Sequence, residues 1–141
     1  MPSKFTELMK ADVARLEEQR SVVATAAQQR YGTPGLTKTK ADVAVLQRLL
    51  DDRAFAKSQT YELQCLGVVL GDVFASELPL RWVMVTDEYG TDPTLRFRDT
   101  TLQMNALTMI SKRVEKNEAV DVSGLLDRAR EQLAELEGKT D

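Results

Sequence analysis

The chain has 141 residues, no histidine, one cysteine and a formal charge of −3, which fits one domain able to bury a core without disulfides. One cysteine gives neither a disulfide framework nor zinc-ligand spacing, and without imidazole there is no Ser-His or Cys-His pair and no HExxH site. The acidic balance argues against nucleic acid, whose phosphates need clustered Lys and Arg, and no apolar run approaches the ~20 residues that span a bilayer.

The opening M-P-S-K-F-T-E-L-M-K has no hydrophobic leader core, so the expected compartment is the cytoplasm, with neither membrane nor nucleic acid as partner. The first helix is predicted over about Thr6–Arg30. Phe5, Met9, Val13, Leu16, Val23 and Ala27 recur on one of its faces. Tyr31-Gly32-Thr33-Pro34-Gly35 stops it. Thr39 then reads as an N-cap, with Asp42 as a variant capping box, before a helix carrying Val43, Leu46, Leu49 and Leu50. Asp51, Asp52 and Arg53 fall at its exposed end.

A third helix is expected from near Ser58 to before Pro79. Its apolar positions cover more than half its circumference, which makes it the central element. Gly67, Gly71 and Ala75 form a smooth stripe along it. Glycine inside a helix costs up to ~1 kcal/mol relative to alanine, so two of them point to a close backbone approach. Cys65, on the apolar side, reads as a small core residue. Asp72 and Glu77 interrupt the segment and rule out a membrane GxxxG helix.

Beyond Pro79 the period changes to two. Strands are predicted at Arg81–Asp87, Thr94–Arg98 and Thr101–Met104, with a wide Glu88–Pro93 loop and a tight turn at Arg98-Asp99-Thr100. A short helix over Leu107–Lys116 and a well-patterned one over Val122–Glu137 follow, with Gly138 at its end. The expected fold class is therefore α+β: a small antiparallel three-stranded meander packed against a mainly helical domain of about five helices. It reads as one domain, residues 1–141, with an N-terminal helix and turn over 1–36 and an α+β core over 37–138.

The polar residues around the meander form the candidate site: Asp87, Glu88, Tyr89 and Asp92 after the first strand, Arg96 on the second, and Lys112 and Arg113 on the next helix. Cross-strand pairing would set Asp87 or Glu88 opposite Arg96, depending on register. A surface salt-bridge network is the plain alternative, worth little per exposed pair. An oxygen-ligand metal site at Asp87, Glu88 and Asp92 lacks any established spacing and would compete with the arginines. No metal or other cofactor is expected.

The segments Y-E-L-Q-C-L-G-V-V-L-G-D, R-W-V-M-V-T-D-E-Y-G-T-D-P-T-L-R and M-I-S-K-R-V-E, within about Tyr61–Val122, resemble a bacterial family known only as a domain of unknown function, number 3806. The sequence departs from that pattern around Gln103–Ala106, where a more apolar stretch with a proline is expected. The resemblance implies bacterial origin and the grouping of Asp87, Glu88, Tyr89, Gly90, Arg96, Lys112 and Arg113. It implies no activity.

Three kinds of function fit these residues. The first is a non-enzymatic binding or interaction module, contacting an unknown protein or a small polar ligand through the Asp87–Arg98 turn and the Lys112/Arg113 helix. The second is a small enzyme or ligand-binding protein using Asp87 or Glu88 as a carboxylate base, with Arg96 or Lys112 stabilising negative charge. The third is a structural homodimer through an amphipathic helix. The missing histidine leans the reading away from catalysis.

Overall fold

The structure is a computed structural model that describes residues 4–140, the side chains of residues 139–140 aside; Met1–Ser3, part of the stretch read for a leader, and Asp141 lie outside the described residues. In chain order the elements are β1 (Lys4–Thr6), α1 (Lys10–Tyr31), α2 (Asp42–Asp51), α3 (Thr60–Glu77), β2 (Leu80–Asp87), β3 (Gly90–Phe97), β4 (Gln103–Met104), a 3-10 turn (Ala106–Thr108), α4 (Met109–Glu115) and α5 (Val122–Thr140). The α+β class holds. The sheet has four antiparallel strands in the order β1-β2-β3-β4, not three.

The added strand is β1. Phe5 pairs with Val85 and belongs to the sheet, so α1 begins only at Lys10. Three residues cannot display a period, and pairing to β2 rather than propensity makes this strand. The buried face of α1 runs through Leu16, Gln19, Val23 and Ala27, while Met9 and Val13 stay exposed. Gly32, at φ 67, closes the helix in left-handed backbone and donates its N–H to the Gln28 carbonyl.

Asp42 opens α2 differently from the expected capping box. Its carboxylate accepts from the backbone N–H of Thr37 and Lys38 and from the Thr37 hydroxyl, bracing the turn before the helix. At the other end of the chain, Gly138 does not terminate α5, which continues to Thr140.

The β2–β3 hairpin is longer and tighter than its sequence suggests. Asp87 pairs with Gly90 across a turn of Glu88 and Tyr89, and Pro93 lies inside β3 opposite Met84. Alternate residues of β3 direct their N–H away from β2, as the Phe97 N–H does in bonding the Leu102 carbonyl. Pro93 shares that parity. β4 pairs only with Leu95 and Arg96, so the missing donor of Pro93 breaks no rung.

Leu80, Trp82, Leu95 and Phe97 share the sheet face that joins the core. On the opposite face Arg96 stacks over the Phe5 ring at 4.7 Å. α3 lies between the sheet and the other helices, buried continuously from Cys65 to Phe74. Its glycines receive two different groups. A Cβ on Gly67 would lie 2.2 Å from the Leu107 carbonyl oxygen, and one on Gly71 would lie 2.2 Å from the Trp82 ring. Close approach of another backbone is thus correct for Gly67, whereas Gly71 makes room for an indole. The apolar face of α5 (Val122, Leu125, Leu126, Ala129, Leu133) is buried in the same core and leaves no free stripe on that helix.

Two outcomes follow from this packing. Gly67→Ala is expected to lower stability by about 1–3 kcal/mol in urea denaturation through overpacking. Helix propensity alone would raise stability by up to ~1 kcal/mol, so the sign of the change decides. Cys65 is fully buried, and burial pushes its thiol from the usual 9.0 up to about 11. Because the folded chain holds this group neutral, its contribution to stability is complete below pH 9.0 and is lost as pH rises through about 11. Native protein should resist thiol reagents near ~pH 8 and react on unfolding. Cys65→Ala should flatten part of the alkaline loss of stability seen in pH-dependent melting, and an unchanged alkaline slope would contradict this.

Candidate functional site

The register separates the polar residues that the sequence grouped. Asp87 faces Gly90, while Arg96 faces Arg81 at the other end of the hairpin. Six residues at about 3.3 Å each put Arg96 roughly 20 Å from the turn. The expected pairing of Asp87 or Glu88 with Arg96 does not form. Arg96 instead donates from Nε to the Thr100 carbonyl at 2.7 Å and from its terminal nitrogen to the Asp99 carbonyl, fixing the β3–β4 connection. Arg113 donates to the Met109 carbonyl one turn back on its own helix. Both arginines hold local structure.

The turn itself is a protruding acidic tip. The Asp87 carboxylate accepts from the Tyr89 backbone N–H at 2.8 Å, and the Thr86 and Thr91 hydroxyls meet across the strands at 2.9 Å. These bonds stiffen the end of the hairpin. Tyr89 is 86% exposed, with Glu88 and Asp92 also exposed and Asp87 half-buried. Lys112 is exposed on α4 and makes no ion pair among the described residues. Asp87 and Glu88 are not among the residues lining the cavity and groove between α2 and the α4–α5 connection. Among the described residues there is no group of three or more acidic or cysteine side chains placed to hold a metal ion.

Two features of the structure were not singled out from the sequence. The first is a polar node inside the core. Asp72, 6% exposed, accepts from Arg20 Nε at 2.6 Å, from an Arg20 terminal nitrogen at 2.8 Å and from the Trp82 indole N–H at 3.0 Å. Arg20 also donates to Glu17, which meets Lys38 at 3.4 Å nearer the surface. Burial acts to lower the pKa of Arg20, but bonding to Asp72 and Glu17 outweighs it and the net shift is upward. The Arg20 hydrogen bond holds the Glu17 carboxyl below the usual range. This arrangement fastens α1, α3 and β2 together. An acidic residue within the apolar run from Cys65 to Phe74 is the sequence signal for it.

The second is a cavity of about 590 Å3 between the α2–α3 loop and the α4–α5 connection. Leu49, Leu63, Leu66 and Val114 line its interior, and Arg53, Lys57, Asn117 and Glu118 stand around it. The ends of α2 and α4 both close with a left-handed residue, Arg53 at φ 51 and Asn117 at φ 59. Each end has the double bond of a Schellman turn: Ala54 N–H to Leu49 and Arg53 N–H to Leu50, then Glu118 N–H to Arg113 and Asn117 N–H to Val114. Gln47 fixes the adjoining wall. Its amide nitrogen donates to Asp51 and to the Val120 carbonyl, and its oxygen accepts from the Val122 N–H at the start of α5. A more open groove of about 660 Å3 continues from the cavity along α2, sharing Asp51 and Val120.

Among the described residues no helix is long and apolar enough to cross a membrane. No curated protein matches the chain in sequence. In structure it is similar to a protein from Bacteroides thetaiotaomicron VPI-5482 solved by crystallography, with a TM-score of 0.83 and 12% identity over 94% of this chain. The chain spans about half of that protein's length, 48%, and at this identity the likeness is one of fold. In sequence, the family pattern described as Domain of unknown function (DUF3806) matches residues 42–125. That segment runs from the start of α2 into α5, and holds both the hairpin tip and the whole cavity lining. Covering more than half of the chain, the match shows that the protein belongs to this domain-of-unknown-function family.

Proposed function

We propose that the chain is a non-enzymatic interaction module of a bacterial cytoplasm that docks a protein partner through the tip of the β2–β3 hairpin. The observation carrying this reading is Tyr89, 86% exposed on a turn of only two residues and flanked by Asp87, Glu88 and Asp92. A tyrosine has a large amphipathic surface and few rotamers to freeze, which suits it to anchor an interface. The stiffened hairpin holds the backbone beneath the ring in place, which lowers the ordering cost on binding. Three acids around it favour a partner whose recess is rimmed by Lys or Arg, chiefly through faster and more selective association. Lys112 remains available as a second contact, while Arg96 and Arg113 are engaged in local structure.

A photo-crosslinking aromatic residue placed at Tyr89 in the native bacterium tests the reading, with the same residue at exposed Glu131 on α5 as control. A discrete adduct is expected from position 89 alone and should disappear on charge reversal by Asp87→Lys with Glu88→Lys. With that partner purified, Tyr89→Ala should weaken binding by about 2 kcal/mol or more. Its effect on unfolding should stay within ~0.5 kcal/mol, as for other exposed positions. The same adduct from both positions, or none from position 89, would remove the tip as the contact.

A further inference from the structure

We propose that the cavity between the α2–α3 loop and the α4–α5 connection is a binding site for a small amphipathic monocarboxylate. Its volume of about 590 Å3 lies within the ~300–1,000 Å3 of small-molecule sites. Half-buried Leu50, Phe55, Val114 and Val120 present apolar surface to the cavity, backed by the buried Leu49, Leu63 and Leu66. At the mouth, Arg53 and Lys57 lie on one loop with the half-buried Phe55 between them, also lining the cavity. Neither cation makes a hydrogen bond or ion pair among the described residues.

The charges nearby narrow the ligand. The lining carries two acids, Asp51 and Glu118, and Asp51 keeps its charge although it accepts from the neutral Gln47 amide, so the formal charges of Arg53 and Lys57 are balanced. With formal charge balanced, two cationic side chains that have no partner among the described residues suit an anion of a single charge. The C-terminal ends of α2 and α4 also border the cavity and carry partial negative charge, which disfavours phosphates of higher charge. An apolar body on the half-buried apolar lining with one carboxylate toward Arg53 and Lys57 satisfies both surfaces. Arg53 adds a second argument. It sits at φ 51, where glycine is unstrained, and its guanidinium gains no partner among the described residues in return. Gln47 ties α2 to the first residues of α5, so the wall beside the site is already in place without ligand.

The site is separate from the hairpin tip, and its test does not depend on the partner. Calorimetric titration of the full chain with octanoate, octylammonium and 1-octanol, each below its aggregation concentration, compares one apolar body with three head groups. Octanoate should bind measurably and the other two more weakly. Arg53→Gly should weaken octanoate by about tenfold through loss of a charge-assisted contact. The same variant should melt no lower than the parent chain, because glycine relieves the left-handed position. Ala119→Trp, which places a ring at the mouth, should abolish binding while circular dichroism shows the fold retained. Equal binding of all three compounds, no binding of octanoate, undiminished binding by Arg53→Gly, or undiminished binding by Ala119→Trp would each overturn the proposal.

Discussion

The fold depends on one acidic side chain held inside its central helix. Asp72 would be costly to bury alone, and it is retained there by three donors, two from Arg20 on α1 and one from Trp82 on β2. The position before it completes the device. Gly71 has no Cβ, which lets the indole lie against α3, and Asp72 then holds the indole N–H in place. One turn earlier Gly67 admits the Leu107 carbonyl, so the 3-10 turn seats against the same stripe. Neutral helix-forming residues at these positions would favour α3 as an isolated helix but would push the sheet and α1 away from it.

Much of this architecture was legible in the sequence, where periodicity and stop signals are strong. The central place of α3, the glycine end of α1 and the buried face of α5 all follow from residue spacing. The misses have physical reasons. β1 has three residues and exists through its pairing with β2, so no local pattern announces it. Pro93 resembles a loop residue because it lacks a donor, yet its place in the ladder points that side away from any rung. Gly138 reads as a helix end, but α5 continues through it to Thr140.

The candidate site was only partly legible, for a related reason. Listing charged residues along a hairpin says nothing of register, and register puts Asp87 and Arg96 at opposite ends. The acidic tip survives as a surface because Asp87, Glu88, Tyr89 and Asp92 are close in sequence as well as in space. The cavity was not visible, since its lining comes from the ends of α2 and α4, the first turns of α3 and two connections spread over residues 49–120. Its one local signal is a helix end reading D-D-R where a glycine would be unstrained. The helical scaffold thus leaves a projecting acidic turn and a separate recess with Arg53, Lys57 and Glu118 around it.

The measurement that bears most directly on this account is a double-mutant cycle on Arg20 and Asp72, read by denaturant unfolding with Trp82 fluorescence as the probe. Asp72→Ala leaves the indole without its acceptor and Arg20 with Glu17 alone, and should cost about 3 kcal/mol, with Arg20→Ala somewhat less because Arg20 is closer to solvent. The double variant should lose less than the sum, with a coupling of roughly 1–3 kcal/mol, and its Trp82 emission should shift to longer wavelength in the folded state. A loss below about 1 kcal/mol for Asp72→Ala, with additive single effects, would show that the three elements are held by apolar packing alone and would contradict the account.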